Sequence, residues 1–196
     1  LATKIFKNFF EMIVAPDFDK NAISLLKQKK NLILLKLPKT KFKIIESKST
    51  LFGELYQTRN IVPINKNFLS LVSNFKTSTN LLEDLIFSLK VAKHLKSNAV
   101  VLSKRKQTLG LGLGQTNRVD ALNFAIKNKN KYFKNKKFVC ASDGFFPFTD
   151  SINILNKSGC NVIAQPGGSI NDNKIILYAI KNKISLYFIK SRLFKH

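Results

Sequence analysis

The last third of the chain alternates short apolar runs with amphipathic segments, and this alternation most restricts what it can fold into. FVCAS (138–142) reads as a strand, TDSINILNKSG (149–159) as a helix closed by Gly159, and NVIAQ (161–165) as the next strand. PGGS then turns into the helix NDNKIILYAIKN, and ISLYFI (184–189) ends the series. Strands alternating with helices through short loops predict a mainly parallel sheet with helices on both faces, a three-layer α/β sandwich.

Upstream the pattern is less regular. KIFKNFF (4–10) reads as the end of an amphipathic helix, and EMIVAP runs into a strand stopped by Pro16. Asp17 is expected to cap a helix carrying Ile23, Leu25 and Leu26. NLILLKL, closed by Pro38, reads as a buried strand. From 40 to 67 short strand-like pieces such as LFGELYQ alternate with turn residues. A helix capped by Thr79 or Asn80, with Glu83 and Asp84 in its first turn, carries Leu85, Ile86, Leu89, Ala92 and His94. AVVL (99–102) and TLGLGLG (108–114) are two strands, followed by a helix through Val119, Leu122 and Ile126. The expected division is 1–75, a remainder of one subdomain with a connecting segment, and 76–196, a second subdomain.

With 44% hydrophobic residues and 17 Phe, the 196-residue chain can build a packed core and is not a disordered polymer. Its apolar runs are short, as in Leu32 to Leu35, so neither a membrane-spanning helix nor a signal peptide is expected. The chain opens on Leu1, which reads as a fragment or processed product. A net charge of +23 invites a nucleic-acid reading, such as a basic, ribosome-associated module with a one-sided Lys face. Yet Lys, Asn, Ile and Phe, the abundant residues, all have codons of A and T alone. Only Arg59, Arg105, Arg118 and Arg192 are arginines, and the run Lys127 to Lys137 alternates with Asn like a solvated helix end. The charge therefore speaks to solubility, and no specific nucleic-acid partner is expected. Cys140 and Cys160 lack CxxC spacing and a nearby His, which suits a reduced cytoplasmic setting and no zinc site. His94 and His196 stand far apart in sequence, and neither looks like half of a nucleophile–base pair.

Three loops at strand ends are the candidate sites, because open α/β sheets collect ligands beyond the carboxyl ends of their strands. The first runs from Ser97-Asn98 through QTLGLGLGQTNRVD. Its Gly-x-Gly-x-Gly run lacks both the dinucleotide spacing and the Gly-Lys-Ser/Thr of a P-loop, so close backbone packing explains it. Arg118, in a chain so rich in Lys, hints at a need for a planar fork. The second is ASDGFFPFTD (141–150), either an apolar plug over the sheet with Asp150 as helix cap or a ligand wall. The third is QPGGSIND (165–172), where Ser169 and Asp172 form a capping box and the glycines allow close backbone approach.

These loops, in this order, with SRLFKH (191–196) at the end, resemble the AICAR transformylase region of the bifunctional purine biosynthesis proteins, which also carry an IMP cyclohydrolase domain upstream. FFEMIVAP, KKNLILL and LFGELYQTRN fit as well, so the resemblance covers essentially all of the chain. It implies a cytidine-deaminase-like fold, without the zinc signature of that superfamily, and transfer of a formyl group from 10-formyl-tetrahydrofolate to the amine of 5-aminoimidazole-4-carboxamide ribonucleotide. It further implies a homodimer and a structural monovalent cation whose ligands are not assigned. Position by position, it implies that Asn98 and Arg118 meet the substrate's carboxamide, Phe145 borders the imidazole, Arg192 binds the phosphate and Glu11 contacts the nucleotide. Val119, Asp150, Ser169 and Ile170 match positions lining the folate side. Gly144 stands where the family usually has Ala, a minor change on sequence grounds. Thr149 stands where it usually has Arg, which removes a cation beside the folate. The family's catalytic Lys-His pair lies in a Lys-His-Ala-Asn-Pro-like motif that neither His94 nor His196 occupies, so no catalytic residue is assigned and the chain alone is expected to be inactive.

Overall fold

The strand Phe138–Ser142 is buried at every residue, and its alternate side chains enter two different cores. Phe138 and Cys140 pack on one side, Val139 and Ala141 on the other. A strand with two apolar faces must lie inside a sheet covered on both sides. The computed structural model describes residues 1–38, 44–134 and 137–195, and the chain forms two compact units, Leu1–Ile61 and Val62–His196.

The larger unit contains β5 (Leu69–Leu71), α3 (Thr79–Ala92), β6 (Val100–Lys104), β7 (Gln107–Gly112), α4 (Arg118–Tyr132), β8 (Phe138–Ser142), α5 (Thr149–Lys157), β9 (Cys160–Pro166), α6 (Asp172–Lys181) and β10 (Ser185–Ile189). Its six strands lie in the order β5-β10-β9-β8-β6-β7. β8, β9 and β10 are parallel neighbours. Because both crossovers step the same way across the sheet, the shared right-handed rule puts α5 and α6 on one face. Residues of α4, α5 and α6 pack in the core on that face, while Leu85 and Leu89 of α3 pack in the other. The three-layer expectation holds.

The expectation of a mainly parallel sheet does not. β6 runs antiparallel to both β7 and β8, and β5 runs antiparallel to β10, so the sheet is mixed. The link from β6 to β7 turns at Arg105 and Lys106, both with φ above +50° (52° and 54°), and is far too short for a parallel crossover. Asp84 holds this turn. Its nearly buried carboxylate accepts from the backbone N–H of Arg105 at 2.8 Å and of Lys106 at 2.7 Å. The boundary expected at 75/76 falls inside the larger unit, since β5 pairs with β10.

The Gly-x-Gly run of β7 explains itself by packing. A Cβ on Gly110 would sit 2.0 Å from the carbonyl oxygen of Ala125, and one on Gly112 would sit 1.8 Å from that of Ala121. α4 therefore lies directly on the β7 backbone. On the same helix Lys129 is buried, not solvated as its run suggested. Its Nζ lies 4.9 Å from the Phe138 ring centre and donates to Asn130 at 3.2 Å, and desolvation lowers its pKa.

In the smaller unit, α1 (Ala2–Phe6), β1 (Met12–Ala15), α2 (Lys20–Leu26) and β2 (Ile33–Lys36) precede the hairpin of β3 (Ile45–Thr50) and β4 (Gly53–Thr58). β1 and β2 pair in parallel. Asp19, not Asp17, caps α2 by accepting from Ala22 N at 2.7 Å, while Asp17 pairs with Lys36 at 2.8 Å. The strand read as buried, β2, is largely exposed within this unit. The helix cap expected at Thr79 or Asn80 is Ser78, and His94 lies past the helix end, exposed. Residues 40–43 of the strand-and-turn reading, and His196, lie outside the described residues. Among the described residues, no helix is long and apolar enough to cross a membrane.

Gly112→Ala is expected to destabilise the folded chain by about 1–3 kcal/mol or more, because the helix must lift off the strand. A lower urea midpoint at constant slope would report this. The buried thiols give a second expectation. Burial raises Cys160 from 9.0 to about 12 and pushes Cys140 well above its ordinary value. A raised pKa means the folded state holds its proton longer than the unfolded one, so this stabilisation is full below pH 9 and is lost as pH rises from 9 toward about 12. Thermal melts across that range should fall, and both thiols should resist alkylation at pH 8 until denaturant is added.

Candidate functional site

The parallel strands β8, β9 and β10 all end at one edge of the sheet. Because Val100 of antiparallel β6 pairs with Ser142, the start of β6 lies there too, and Val100 also pairs with Gly112 at the close of β7. Thus Ser97-Asn98, the 113–118 turn, the 143–148 turn, the 166–172 turn and the 190–194 tail share that edge. Two of the segments singled out from sequence are far apart along the chain, yet antiparallel pairing brings them together.

Asp143 is the junction. Its side chain is fully buried, and Oδ1 receives the Arg118 Nη2 donor at 2.8 Å while Oδ2 receives the Ser97 hydroxyl at 2.5 Å. The Ser97 hydroxyl in turn accepts from Lys195 N at 3.0 Å. The Asp143 backbone accepts from Leu193 N at 3.0 Å and donates to Ala99 O at 3.1 Å. One residue therefore fastens the β6 start, the α4 start and the chain tail. Arg118 also donates from Nε to the Ser142 hydroxyl at 3.0 Å, so the Nε–Nη2 edge of its guanidinium is engaged.

Beyond this anchor the site is a run of alternating cations and rings. The Arg118 guanidinium lies 5.9 Å from the Phe194 ring centre, and that of Arg192 lies 5.7 Å from the same ring and 5.5 Å from Phe145. Each contact is worth roughly 0.5–1 kcal/mol where exposed. Among the described residues no carboxylate pairs with Arg192, whereas Asp143 balances Arg118. The Arg192 end is therefore the electropositive one, suited to an anion, and the rings of half-buried Phe145 and exposed Phe194 suit a flat group.

Asn98 is half-buried beside this corner and donates from Nδ2 to Gln115 O at 2.9 Å and to Thr116 O at 3.2 Å. Val119 follows Arg118 and is half-buried. Asp150 lies in the first turn of α5, exposed, and bonds Ser151 N rather than capping the helix; the cap position is Phe148. Ser169 accepts from Asn171 N at 3.2 Å and Asp172 from Gly168 N at 2.7 Å, so the expected capping box is a looser turn with α6 capped at Asn171. Ile170 is fully exposed. Glu11 belongs to the smaller unit, where it is exposed and its carbonyl accepts from Ile33 N. The apolar plug is split: Phe146 is buried, Phe145 half-buried and Phe148 exposed. Gln165 supports it from below, fully buried, accepting from Phe146 N at 3.1 Å.

Sequence reasoning missed Asp143, Ser97 and Phe194 although all three lie within quoted motifs. The available signal was an acidic residue flanked by small ones at a strand end, which is costly to bury unless it has partners. The Gly144 substitution, minor on sequence grounds, is not minor in place. A Cβ there would meet Arg118 Nη2 at 2.2 Å and Phe194 Cε1 at 2.8 Å. Among the described residues no group of three or more His, Cys, Asp or Glu could hold a metal ion.

Fold and site together define an α/β protein with a paired-arginine, aromatic-lined corner at the carboxyl edge of its sheet. The family model of the AICARFT/IMPCHase bienzyme matches residues 1–128. The chain is 43% identical over its whole length to the bifunctional purine biosynthesis protein PurH of Caldicellulosiruptor saccharolyticus, of which it covers 38%. It is 44% identical, over 97% of its length, to the protein of the same name from Buchnera aphidicola subsp. Schizaphis graminum, covering 37% of that protein. It belongs to the AICARFT/IMPCHase bienzyme family, and spans under two-fifths of these relatives' length.

Replacing Gln165 by Leu should orphan the buried Phe146 N–H and cost about 1–3 kcal/mol. Faster amide exchange at Phe146 than in the parent chain would check that the turn, rather than the whole sheet, has loosened.

Proposed function

We propose that this chain is the C-terminal portion of a formyltransferase of purine synthesis, carrying a formyl group from 10-formyl-tetrahydrofolate to the amine of 5-aminoimidazole-4-carboxamide ribonucleotide. The observation that carries the reading is the packing of the Arg118 and Arg192 guanidiniums against one ring, Phe194, with Phe145 adjoining. A ribonucleotide has a dianionic phosphate at one end and a flat heterocycle at the other. Arg192, with no carboxylate partner among the described residues, suits the phosphate, Phe145 the imidazole, and Arg118 with Asn98 the carboxamide. Glu11 is assigned to the nucleotide as well, and Val119, Asp150, Ser169 and Ile170 to the folate. Thr149 offers the folate no cation, so the pterin side relies on shape and backbone groups.

The amine of this substrate is conjugated with its ring and poorly nucleophilic. Attack on the formyl carbon needs removal of a proton and stabilisation of the oxyanion. The residues described here bind and orient; the Lys-His pair that would do the proton work belongs to a Lys-His-Ala-Asn-Pro-like motif, which neither Lys93-His94 nor Lys195-His196 matches. The residues of the Val62–His196 unit would form a cytidine-deaminase-like subdomain, and those of Leu1–Ile61 the remainder of the one before it. The working enzyme would be a cytoplasmic homodimer with a structural monovalent cation to which no ligands are assigned.

In the full-length protein, Arg192→Ala should raise KM for the ribonucleotide by about tenfold to a hundredfold, the value of a charge-assisted hydrogen bond, with a smaller effect on KM for the folate. An equal rise for both substrates, or none, would count against the assignment. The 196-residue chain by itself should bind the ribonucleotide weakly and show no formyl transfer in a spectrophotometric folate assay. Turnover by that chain would refute the division of labour.

A further inference from the structure

The larger unit sorts its charges by edge. From Val100 onward its acidic residues are Asp120, Asp143, Asp150 and Asp172. Three of them lie in the first turns of α4, α5 and α6, and Asp143 follows β8, so all four stand at the carboxyl edge with the site. The opposite edge, where β8, β9 and β10 begin, receives only cations from this stretch. Exposed Lys131, Lys134 and Lys137 lie on the way into β8, Lys157 before β9, and Lys181 and Lys183 before β10. Arg105 and Lys106 turn from β6 to β7 at the same edge, since Ser103 pairs with Val139. Glu83 and Asp84 of α3 also reach this edge, and the turn occupies both. Glu83 pairs with Lys106 at 2.8 Å, and Asp84 accepts from the backbone N–H groups of Arg105 and Lys106. Among the described residues, none of the other cations just named has a carboxylate partner.

We infer that this edge is a docking strip for single-stranded nucleic acid, held through its phosphates and without regard to sequence. The inference is independent of the proposed function, whose site lies at the other edge of the sheet. Codon usage explains why lysine is abundant, but not why acids are missing from one edge. Helix dipoles favour cations at helix C-termini, which accounts for Lys131, Lys157 and Lys181. They do not account for Lys134, Lys137 and Lys183, which lie beyond the helices, or for the β6–β7 turn. Among the described residues, the left-handed positions not held by glycine are Arg105, Lys106 and Lys183, at φ of 52°, 54° and 55°. Glycine or asparagine would sit there more easily, yet all three are cations and all three are on this edge.

The form of the strip selects its partner. Neighbouring strands stand about 4.8 Å apart, so the row from β10 across to β7 spans roughly 19 Å. A small anion needs donors converging on one point, whereas a row of cations meets the successive phosphates of a polymer. Tyr132 adds a stacking surface for a base, its ring 66% exposed and the Lys131 Nζ 5.0 Å from the ring centre. No exposed large aliphatic side chain accompanies it among the described residues of these links, so a bilayer would gain nothing to bury.

The test uses the full-length protein and a fluorescein-labelled single-stranded RNA of mixed sequence, read by anisotropy across a potassium chloride series. Log affinity against log salt should have a slope of about −3 or steeper, as for four or more phosphates at roughly 0.7 each. The triple variant Lys137→Gln, Lys157→Gln, Lys183→Gln should bind about tenfold more weakly, with a slope shallower by about 2. The triple variant Lys20→Gln, Lys27→Gln, Lys48→Gln, in the smaller unit, removes the same charge and should bind like the parent. Both should keep the parent's unfolding midpoint. Tyr132→Ala should weaken binding to the single strand about fivefold or more and leave binding to a duplex of the same length unchanged. Equal losses from the two triples would mean that bulk charge attracts the RNA, and the inference would fall. Tighter binding to the duplex than to the single strand would overturn it too, as would binding only to vesicles of equal parts phosphatidylserine and phosphatidylcholine.

Discussion

A fully buried carboxylate is costly unless its charge is met and its oxygens have partners; Asp143 meets both conditions with Arg118 and Ser97, and its backbone carbonyl takes Leu193 N of the tail. The dependence runs both ways. The polar atoms of buried Asp143 have partners only while Arg118, Ser97 and the tail are in place. They also bond one another, as Ser97 N does to Lys195 O at 2.9 Å and Gly114 N to Lys96 O at 2.8 Å, and Asp143 closes that set from the interior. Buried pairs of this kind add little net stability over an apolar substitute, and their use is to select one arrangement among many. Here the arrangement selected is the orientation of the site.

Much of this was legible in the sequence, and what failed did so for identifiable reasons. The strand–helix–strand rhythm from Phe138 to Ile189 gave the layers correctly, because period-two and period-3.6 patterns report burial directly. Strand direction is not encoded in that pattern. It is encoded in link length, and SKRKQ between the AVVL and TLGLGLG strands is too short for a crossover, so the antiparallel pairing was within reach. The Arg118–Arg192 neighbourhood came from a family resemblance and not from any local rule, since nothing in either segment names the other. Asp143 was read as part of a motif and not as a charge needing partners. Lys129 was read from its polar neighbours, although position along α4 put it on the sheet side, four residues past Ala125.

The glycines separate two kinds of necessity that look alike in sequence. Gly110 and Gly112 are small because a helix backbone lies against them, and the GLGLG run has nothing to do with phosphate. Gly114, by contrast, has a φ of 63° with open space around it, so its requirement is conformational. Gly144 belongs to neither case, since what fills its space is the Arg118 side chain. A motif of glycines therefore carries no single meaning; what each would collide with decides it.

The two units also differ in how far they can organise their candidate site residues unaided. Among the described residues of Leu1–Ile61, Leu26 is the only apolar side chain in the buried core class, while Met12, Val14, Ile33 and Leu35 of its parallel strand pair stand exposed. Parallel strands are ordinarily covered on both faces, so this unit needs apolar surface from outside itself to hold its strands in place. The unit from Val62 onward has two cores, one on each face of its sheet, and its Asn98–Arg118–Phe145–Arg192 corner is anchored within it by a buried charge. Side chains so anchored lose little further freedom when a ligand arrives, which favours binding without any new contact. Glu11, on the exposed rim of the smaller unit, has no such support, and its share in any site depends on whatever covers those strands.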